Sequence, residues 1–231
     1  MLNEKKILAV TLARGGSKAI PKKNIVKVKG IPLIGYTILE ARKSKYIDEY
    51  IVSTDCLEIQ KVAQDFGADV PFLRPDILSD DTASSADALL HAVRFLEKSG
   101  RDYDYVVELM ATNPLKTVED IDNMIETAVE NDESSCVAVH RLIEHHPSRI
   151  KYIKNGYLKP FYEEIPESRR QDLEPKAYIR SGSIYVTKVS FLQQYKARYS
   201  AHHTRAYILP ASRVANIDEP NDLKLLEAKL T

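Results

Sequence analysis

The residues best suited to chemistry lie in one short loop near the start of the chain. Residues 13–24, ARGGSKAIPKKN, directly follow the apolar run ILAVTL at 7–12. Gly15 and Gly16 permit close backbone approach and positive φ angles, so several N–H groups could face one anion. The same loop carries the cations Arg14, Lys18, Lys22 and Lys23. Together they predict a polyphosphate site, although the loop is neither a Walker A nor a dinucleotide-binding motif. The alternative is a solvated basic turn whose glycines only form the bend.

A second candidate precedes the last predicted helix, in the segment NIDEPND at 216–222. The carboxylate of Asp218 can hold a hard divalent cation, which would bridge phosphate oxygens and offset their charge. Asp218 is also well placed as the N-cap of the helix, with Pro220 in the first turn. Both roles stay open, because the two carboxylate oxygens can serve different partners.

Other polar groups allow two interpretations each. Asp55 ends a predicted strand, where it could face a ligand or cap the next helix. The hydroxyls of DTASS at 81–85 could likewise cap a helix or bind a base or ribose. A basic cluster could bind a substrate carboxylate or only solvate a loop, and it comprises Arg169, Arg170, Lys176 and Arg180. The pair His145–His146 lacks a third ligand at suitable spacing, so we expect no zinc site there.

The elements that must position these residues alternate between apolar runs and amphipathic stretches. We predict strands at 7–12, 50–54, 105–110, 135–139, 183–187 and 205–209. Helices are predicted at 32–43, 57–66, 83–96, after a capping box at 117–120, and at 219–230. This alternation predicts an α/β fold with a mostly parallel, doubly wound sheet and right-handed crossovers. A ligand should then bind beyond the carboxyl ends of the strands.

The alternation breaks at residues 140–178, which contain four prolines and no clear helical period. A segment of this length is unusual as a plain connection inside a compact domain. We predict a β-hairpin at 150–153 and 157–159, turning at Asn155-Gly156, and an extended arm beside it. Such an arm would serve as a lid or as a dimerisation element.

The composition is that of a folded protein with balanced charge. The 231 residues include 33 Lys and Arg against 33 Asp and Glu, and 44% are hydrophobic. The balance argues against nucleic-acid binding over the whole surface. No apolar run approaches the roughly 18 residues of a membrane span, and the N-terminal run is too short for a signal peptide. With Cys56 and Cys136 far apart, we expect a cytoplasmic protein without disulfides, zinc or a membrane partner.

Several motifs occur here in the order found in CMP-sialic acid synthetases. They are ARGGSKAIPKKN, IVSTD, LRPDILSDDTASS, ATNPLK, EHHP, SGSIYV and NIDEPNDL. The chain resembles the acylneuraminate cytidylyltransferase family over essentially its whole length. The resemblance implies a Rossmann-like nucleotidyltransferase fold, a single domain over 1–231 and a homodimer. The segment 140–178 is the natural candidate for a protruding dimerisation arm that also reaches the sugar site.

The resemblance also implies an activity and a set of site residues. The activity is transfer of CMP from CTP to the anomeric hydroxyl of an acidic 2-keto sugar, with release of pyrophosphate and Mg²⁺ or Mn²⁺ as cofactor. The implied nucleotide-binding residues are Ala13, Arg14, Gly15, Gly16, Ser17, Lys18, Lys23, Asn24, Arg74, Ala83 and Ser85. The implied catalytic residues are Arg14, Lys18 and Asp218, and the implied metal ligands are Asp218 and Asn216. On the sugar side, the implied residues are Met110, Thr112, Arg170 and Ser181.

The sequence departs from the family pattern at three positions. Asn216 stands where the family has an aspartate, Met110 where sialic acid enzymes have a glutamine, and Ser181 where they have an asparagine. The nucleotide half is kept and the sugar half is altered. We therefore expect an acceptor of legionaminic or pseudaminic type, or another acidic sugar, in place of N-acetylneuraminate. The alternatives are an enzyme that uses a phosphorylated small-molecule acceptor and a CTP-binding protein without catalysis.

Overall fold

The computed structural model describes residues 1–161 and 169–230. Its strands are β1 Ile7–Leu12, β2 Lys27–Val28, β3 Ile31–Pro32, β4 Glu49–Ser53, β5 Tyr105–Leu109, β6 Ser135–Arg141, β7 Lys151–Lys154, β8 Tyr157–Pro160, β9 Tyr178–Lys188 and β10 Arg205–Ile208. Its α-helices are α1 Leu33–Ala41, α2 Leu57–Asp65, α3 Ser85–Glu97, α4 Val118–Glu130, α5 Val189–Tyr195 and α6 Pro220–Lys229. No helix in the described ranges is long and apolar enough to cross a membrane.

The main sheet has six strands in the order β10-β6-β9-β5-β1-β4. β1 pairs in parallel with β4 and β5, and β10 pairs in parallel with β6. β9 is antiparallel to both of its neighbours, β5 and β6. The predicted α/β fold with a mostly parallel sheet is therefore confirmed. β9 runs in the opposite direction because no α-helix occurs in the described part of the connection from β6, and a parallel return needs a crossover.

The apolar sequence of the central strands follows from their place in the sheet. β1 and β5 are buried along nearly their whole length. One core cluster contains Ala9 and Val107 with residues of α4, whereas the other contains Val10 and Val106 with residues of α3. Strands covered on both faces have continuous apolar runs, not alternating patterns. Because these two helical layers cover both faces, a ligand is left the edge at the carboxyl ends of the parallel strands.

The helix starts show which polar residues act as caps. Thr117 and Asp120 form the predicted capping box of α4, and the hydroxyl of Ser84 accepts from the N–H of Asp87 at 3.0 Å in α3. At α6, the carboxylate of Asp222 accepts from the N–H groups of Asp218 and Glu219, at 2.8 and 2.7 Å. The interpretation of Asp218 as the N-cap is therefore wrong, because Asp222 caps this end from inside the first turn.

The irregular segment contains the predicted hairpin. β7 and β8 pair across Asn155 and Gly156, whose φ angles of 53° and 80° suit a tight two-residue turn. His146 is buried, with its ring nitrogens 2.9 Å from the Ser148 hydroxyl and the Pro175 carbonyl. These contacts attach one end of the segment to the other. The sequence did not predict α5 or the short pair β2–β3.

Candidate active site

A cleft of about 640 Å³ opens beyond the carboxyl ends of β1 and β5. Its walls come from the loop after β1, the start of α3, the end of β5 and the residues before α6. It brings together most of the candidate site residues, namely Arg14, Ser17, Lys18, Lys23, Asn24, Arg74, Ala83, Ser85, Met110, Thr112 and Asp218. This is the sheet edge where open α/β folds bind ligands.

Hydrogen bonds hold the basic loop in one shape. The amide of Asn24 donates to the carbonyl of Arg14 at 3.0 Å, and Asp55 accepts from the N–H of Gly15 at 2.8 Å. A Cβ on Gly15 would lie 3.0 Å from the Cβ of Cys56, so close packing is what requires glycine there. Neither Gly15 nor Gly16 has a positive φ angle, so the loop uses the close approach that glycine permits and not its freedom in φ. The N–H groups of Gly15 and Ser17 are thus used within the protein, by Asp55 and by the carbonyl of Gly15.

The two leading cations are held by an acidic residue across the cleft. Arg14 contacts the carboxylate of Asp81 at 3.0 Å and donates to the carbonyl of Asp80 at 3.0 Å. Lys18 forms an ion pair with the same carboxylate of Asp81. Lys18, and to a smaller extent Arg14, keep the pKa of Asp81 below its usual value. Asp81 thus occupies, in the free protein, the place where an anionic ligand would meet both cations.

Arg74 forms a third positive position, on the wall next to α3. Its side chain is buried, and its Nε donates to the hydroxyl of Ser79 at 2.9 Å. Burial lowers the pKa of Arg74, the nearby Asp55 raises it and Arg14 lowers it further. A poorly solvated guanidinium gains more from an incoming anion or polar base than an exposed one does.

Lys23 and Asp218 pair at the opposite wall. The ammonium of Lys23 donates to the carbonyl of Ile217 at 2.7 Å and to the carboxylate of Asp218 at 3.0 Å. The Asp218 side chain is 76% exposed, and it does not cap α6. Its carboxylate is thus accessible to a cation brought in by a ligand.

The possible metal ligands of the cleft suit a metal ion bound jointly by the protein and by the phosphates of a ligand. They do not suit a metal ion bound by protein side chains alone. The described residues contain no group of three or more His, Cys, Asp or Glu side chains arranged for a metal. Asn216 does not line the cleft, and its carbonyl oxygen accepts from the Asn113 amide at 3.1 Å. Mg²⁺ often binds through one or two carboxylates plus substrate phosphates, a pattern that Asp218 fits.

Met110 and Thr112 reach the cleft on a turn that a buried lysine holds. The ammonium of Lys116 donates to the carbonyls of Met110 and Asn113 at 2.8 and 2.5 Å, and to Thr37 at 2.9 Å. Burial lowers the pKa of Lys116 to about 7, although Glu40 and Asp120 act against it. Lys116 and Asn113 were not identified as site residues from the sequence. Each contacts a residue in a distant segment of the chain, and no local pattern reveals such a contact.

Some candidate residues lie away from the cleft. Ser181 is fully buried and donates to the carbonyl of Ala138 at 3.0 Å, so its side chain has a structural contact and does not face the sugar side. Ala13 is buried in the core beneath the loop, and Gly15 and Gly16 do not line the cleft. Arg170 lies in a short 3-10 turn, and its side chain falls outside the described part of the structure.

Comparison with known proteins identifies the family of this chain. A cytidylyltransferase family model matches residues 8–209. The chain is 37% identical to the pseudaminic acid cytidylyltransferase of Campylobacter jejuni over 224 residues, which cover 95% of this chain and 94% of that protein. It belongs to the cytidylyltransferase family. This membership makes the protein a CTP-dependent nucleotidyltransferase and confirms the resemblance drawn from the motifs.

Two further relatives of this cytidylyltransferase agree with that assignment. It is 31% identical to the CMP-N,N′-diacetyllegionaminic acid synthase of Legionella pneumophila over 224 residues, covering 96% of this chain and 95% of that one. The solved structure of CMP:2-keto-3-deoxy-manno-octonic acid synthetase complexed with CTP has a TM-score of 0.73 at 20% identity, covering 97% and 98% of the two chains. The latter likeness confirms the nucleotidyltransferase fold.

Replacing Asp81 by Asn should tighten binding of CTP by this cytidylyltransferase. The triphosphate would no longer have to displace a carboxylate from Arg14 and Lys18. Because the pair is exposed, we expect a decrease in Kd of about 2- to 5-fold, measured by calorimetry at low salt. Asp76→Asn, which removes an acid from the same connection, serves as the matched control and should leave Kd unchanged. Weaker binding in Asp81→Asn would show that Asp81 instead organises the loop for the nucleotide.

Proposed function

We propose that this cytidylyltransferase transfers CMP from CTP to the anomeric hydroxyl of an acidic nine-carbon 2-keto sugar of pseudaminic or legionaminic type. The observation that carries the proposal is the cluster of cations around one cleft, supplied by Arg14, Lys18, Lys23 and Arg74. The named activities of the two curated relatives support the acceptor class. Met110 in the cleft wall supports the acceptor class as well. Sialic acid enzymes have a glutamine at this position, and a thioether cannot make the hydrogen bonds to a sugar that a glutamine amide makes.

The reaction we propose is an in-line substitution at the α-phosphorus of CTP. The anomeric oxygen forms the new bond while its hydroxyl proton passes to solvent, and the bond from the α-phosphorus to the oxygen of pyrophosphate breaks. Negative charge increases on the departing pyrophosphate, and Arg14 and Lys18 would stabilise it once Asp81 has been displaced. Arg74 and the start of α3, with Ala83 and Ser85, would hold the cytidine half of the nucleotide.

We assign the divalent cation, Mg²⁺ or Mn²⁺, to the side of the cleft formed by Asp218. The carboxylate there is exposed and is not used as a helix cap. When bound, the cation would supply positive charge to the phosphate oxygens. Asn216 would contribute at most a neutral amide oxygen, and that oxygen already accepts from Asn113. Asp218 would therefore bear most of the protein's share of metal binding.

The acceptor panel is the direct test of the proposed function. Pyrophosphate release would be measured with CTP and pseudaminic acid, diacetyllegionaminic acid, N-acetylneuraminic acid, 3-deoxy-octulosonate or a phosphorylated polyol, with ATP, GTP and UTP as nucleotide controls. We expect release with CTP and a pseudaminic- or legionaminic-type acid. Arg14→Ala should lower kcat about 100-fold or more, since it removes a charge-stabilising donor. Fastest turnover of N-acetylneuraminate would contradict the acceptor class, and CTP binding without any release would favour the non-catalytic alternative.

Replacing Asp218 by Asn should raise the Mg²⁺ concentration that gives half-maximal rate by at least about 10-fold, because the carboxylate supplies the negative ligand. Thermal stability should be unchanged. The matched control is Asp222→Ala, which removes the cap of α6. That variant should lose about 1 kcal/mol of stability without altering the metal requirement. If Asp218→Asn loses stability and keeps its metal dependence, Asp218 is not a metal ligand.

We further propose that the arm joins two copies of the chain as a homodimer. Ile153 and Leu158 lie directly opposite each other on β7 and β8, and they are 74% and 72% exposed. A paired apolar patch on a projecting hairpin is costly to leave in water.

A cytoplasmic location is consistent with free thiols at both Cys56 and Cys136, since disulfides are rare in reducing compartments.

Charging the hairpin should separate the two copies. Multi-angle light scattering should give the mass of a dimer for the wild type and 26.2 kDa for the double variant Ile153→Lys, Leu158→Lys. Burying two lysine ammonium groups without partners at an apolar contact is strongly unfavourable. Lys154→Ser, a polar exchange on the same hairpin, should remain dimeric. A monomeric wild type, or a dimer that survives both lysines, would show that the hairpin does not join the copies.

A further inference from the structure

A buried glutamate stands beside the cleft without a full set of partners. Glu108 lies on β5 in the middle of the sheet and is 1% exposed. Arg198 donates to its Oε2 at 2.5 Å, whereas its Oε1 accepts from no group among the described residues. Burying a carboxylate is costly even when it is paired, and an acceptor left empty adds to the cost. Such a group in a cleft wall suggests a donor that arrives with a ligand.

The position of Glu108 indicates which ligand would supply that donor. Glu108 lines the cleft, as does Met110 two residues further along. Met110 follows directly after β5, and its N–H donates to the carbonyl of Ser183, so the extended pairing with β9 continues there. Residues two apart in extended backbone point to the same side, so both face the part of the cleft assigned to the sugar. The backbone of Arg74 pairs with Thr54, just beyond β4, and β1 separates β4 from β5 in the sheet. Glu108 is thus two strands away from Arg74. It faces the layer of α3, because Val106, two residues earlier on β5, packs against that helix.

The other surroundings of Glu108 lie toward β9, on the side of β5 opposite to β1 and β4. Its register partner on β9 is Tyr185, and the guanidinium of Arg198 lies 4.3 Å from the centre of the Tyr185 ring. Tyr185 stacks on Tyr199 with ring centres 6.2 Å apart. Arg198 is therefore held from two sides, by a ring and by a carboxylate. That support fixes the orientation of the Glu108 carboxylate and of its empty Oε1.

We infer that Glu108 is a specificity-determining residue for the acceptor, whose Oε1 accepts a hydrogen bond from an N–H or O–H group of the bound sugar. The inference rests on the proposed function and adds a named contact to it. Poor access for water makes the contact selective, because a correctly placed donor gains a charge-assisted bond with little competition from solvent. The carboxyl group of the acidic sugar would be repelled from this position, which fixes the direction in which the sugar enters.

Glu108→Gln is the first variant to measure. The glutamine oxygen can still accept from Arg198, and the amide would then present a donor where the substrate needs an acceptor. We expect the KM for the preferred acceptor to rise about 10- to 100-fold, the range for one hydrogen bond to a charged group. The KM for CTP should stay within about 2-fold, because the inferred hydrogen bond is made with the acceptor and not with the nucleotide.

A double variant separates recognition from stability. Glu108→Met with Arg198→Met replaces a buried ion pair by apolar side chains, an exchange that often leaves stability unchanged or raises it. It should fold and still show the raised acceptor KM. Asp120→Asn is the matched control, because it alters another buried carboxylate, 2.8 Å from Arg213 and outside the cleft lining. That variant should lose stability and keep both KM values.

The outcomes separate the inference from the proposed function. An active wild type whose Glu108→Gln variant keeps its acceptor KM overturns the inference and leaves the function intact. A rise in the KM for CTP alone overturns it as well, by assigning Glu108 to the nucleotide. A wild type that releases no pyrophosphate with any acceptor defeats both. The effect of Glu108→Gln on KM is then compared between diacetyllegionaminic acid and 3-deoxy-octulosonate. The comparison shows whether the sugar donates from an N–H or an O–H group, since the second sugar carries hydroxyls but no acylamino N–H. An effect confined to the first assigns the contact to an acylamino group.

Discussion

Mutual repulsion among cations gathered at one sheet edge is the constraint on which the site depends. Arg14, Lys18 and Arg74 line one cleft, and the charge of Arg14 is among the causes, after burial, that lower the pKa of Arg74. Without a ligand, the chain compensates this charge with its own carboxylates. Asp81 holds Arg14 and Lys18, and at the other wall Lys23 is paired with an exposed aspartate. In the function that we propose, a nucleotide triphosphate would replace these internal partners, so binding would exchange ion pairs and would not create them all anew.

The exchange is useful only if the walls stay in place when the ion pairs break. Buried hydrogen bonds provide that rigidity, since they are not exposed to competition from water. Asn113 is fully buried, and its amide donates to the carbonyl of Ser181 and to Asn216. It thereby ties the turn after β5 to β9 and to the segment before α6. Lys116 fixes the same turn from beneath, and Asp55 fixes the start of the basic loop. Polar residues that face the ligand can then move while their backbones remain fixed.

Much of the fold could be predicted because the relevant signals are local. The continuous apolar runs of β1 and β5, the capping box at Thr117 and the turn at Asn155-Gly156 each depend on neighbouring residues. The direction of β9 could not be read in this way, because it depends on how the chain returns from the arm. α5 was missed because its seven residues span only two turns and no side chain caps its start. The error at Asp218 also concerns a helix start. Two aspartates lie close to the beginning of α6, and Asp222 is the one that accepts from the free N–H groups there.

The two halves of the site differ in how far apart in the sequence their contacting residues lie. On the nucleotide side, Asn24 holds a carbonyl only 10 residues away, and the basic loop is one continuous segment, so its chemistry is visible in the sequence. On the side that we propose for the sugar, Glu108 meets Arg198 90 residues later, and Asn113 meets Asn216 across 103 residues. Long-range pairs of this kind have no local signature. A half-site built from them can change its partner groups while the nucleotide loop is retained, which is how one fold can keep CTP and accept a different acidic sugar.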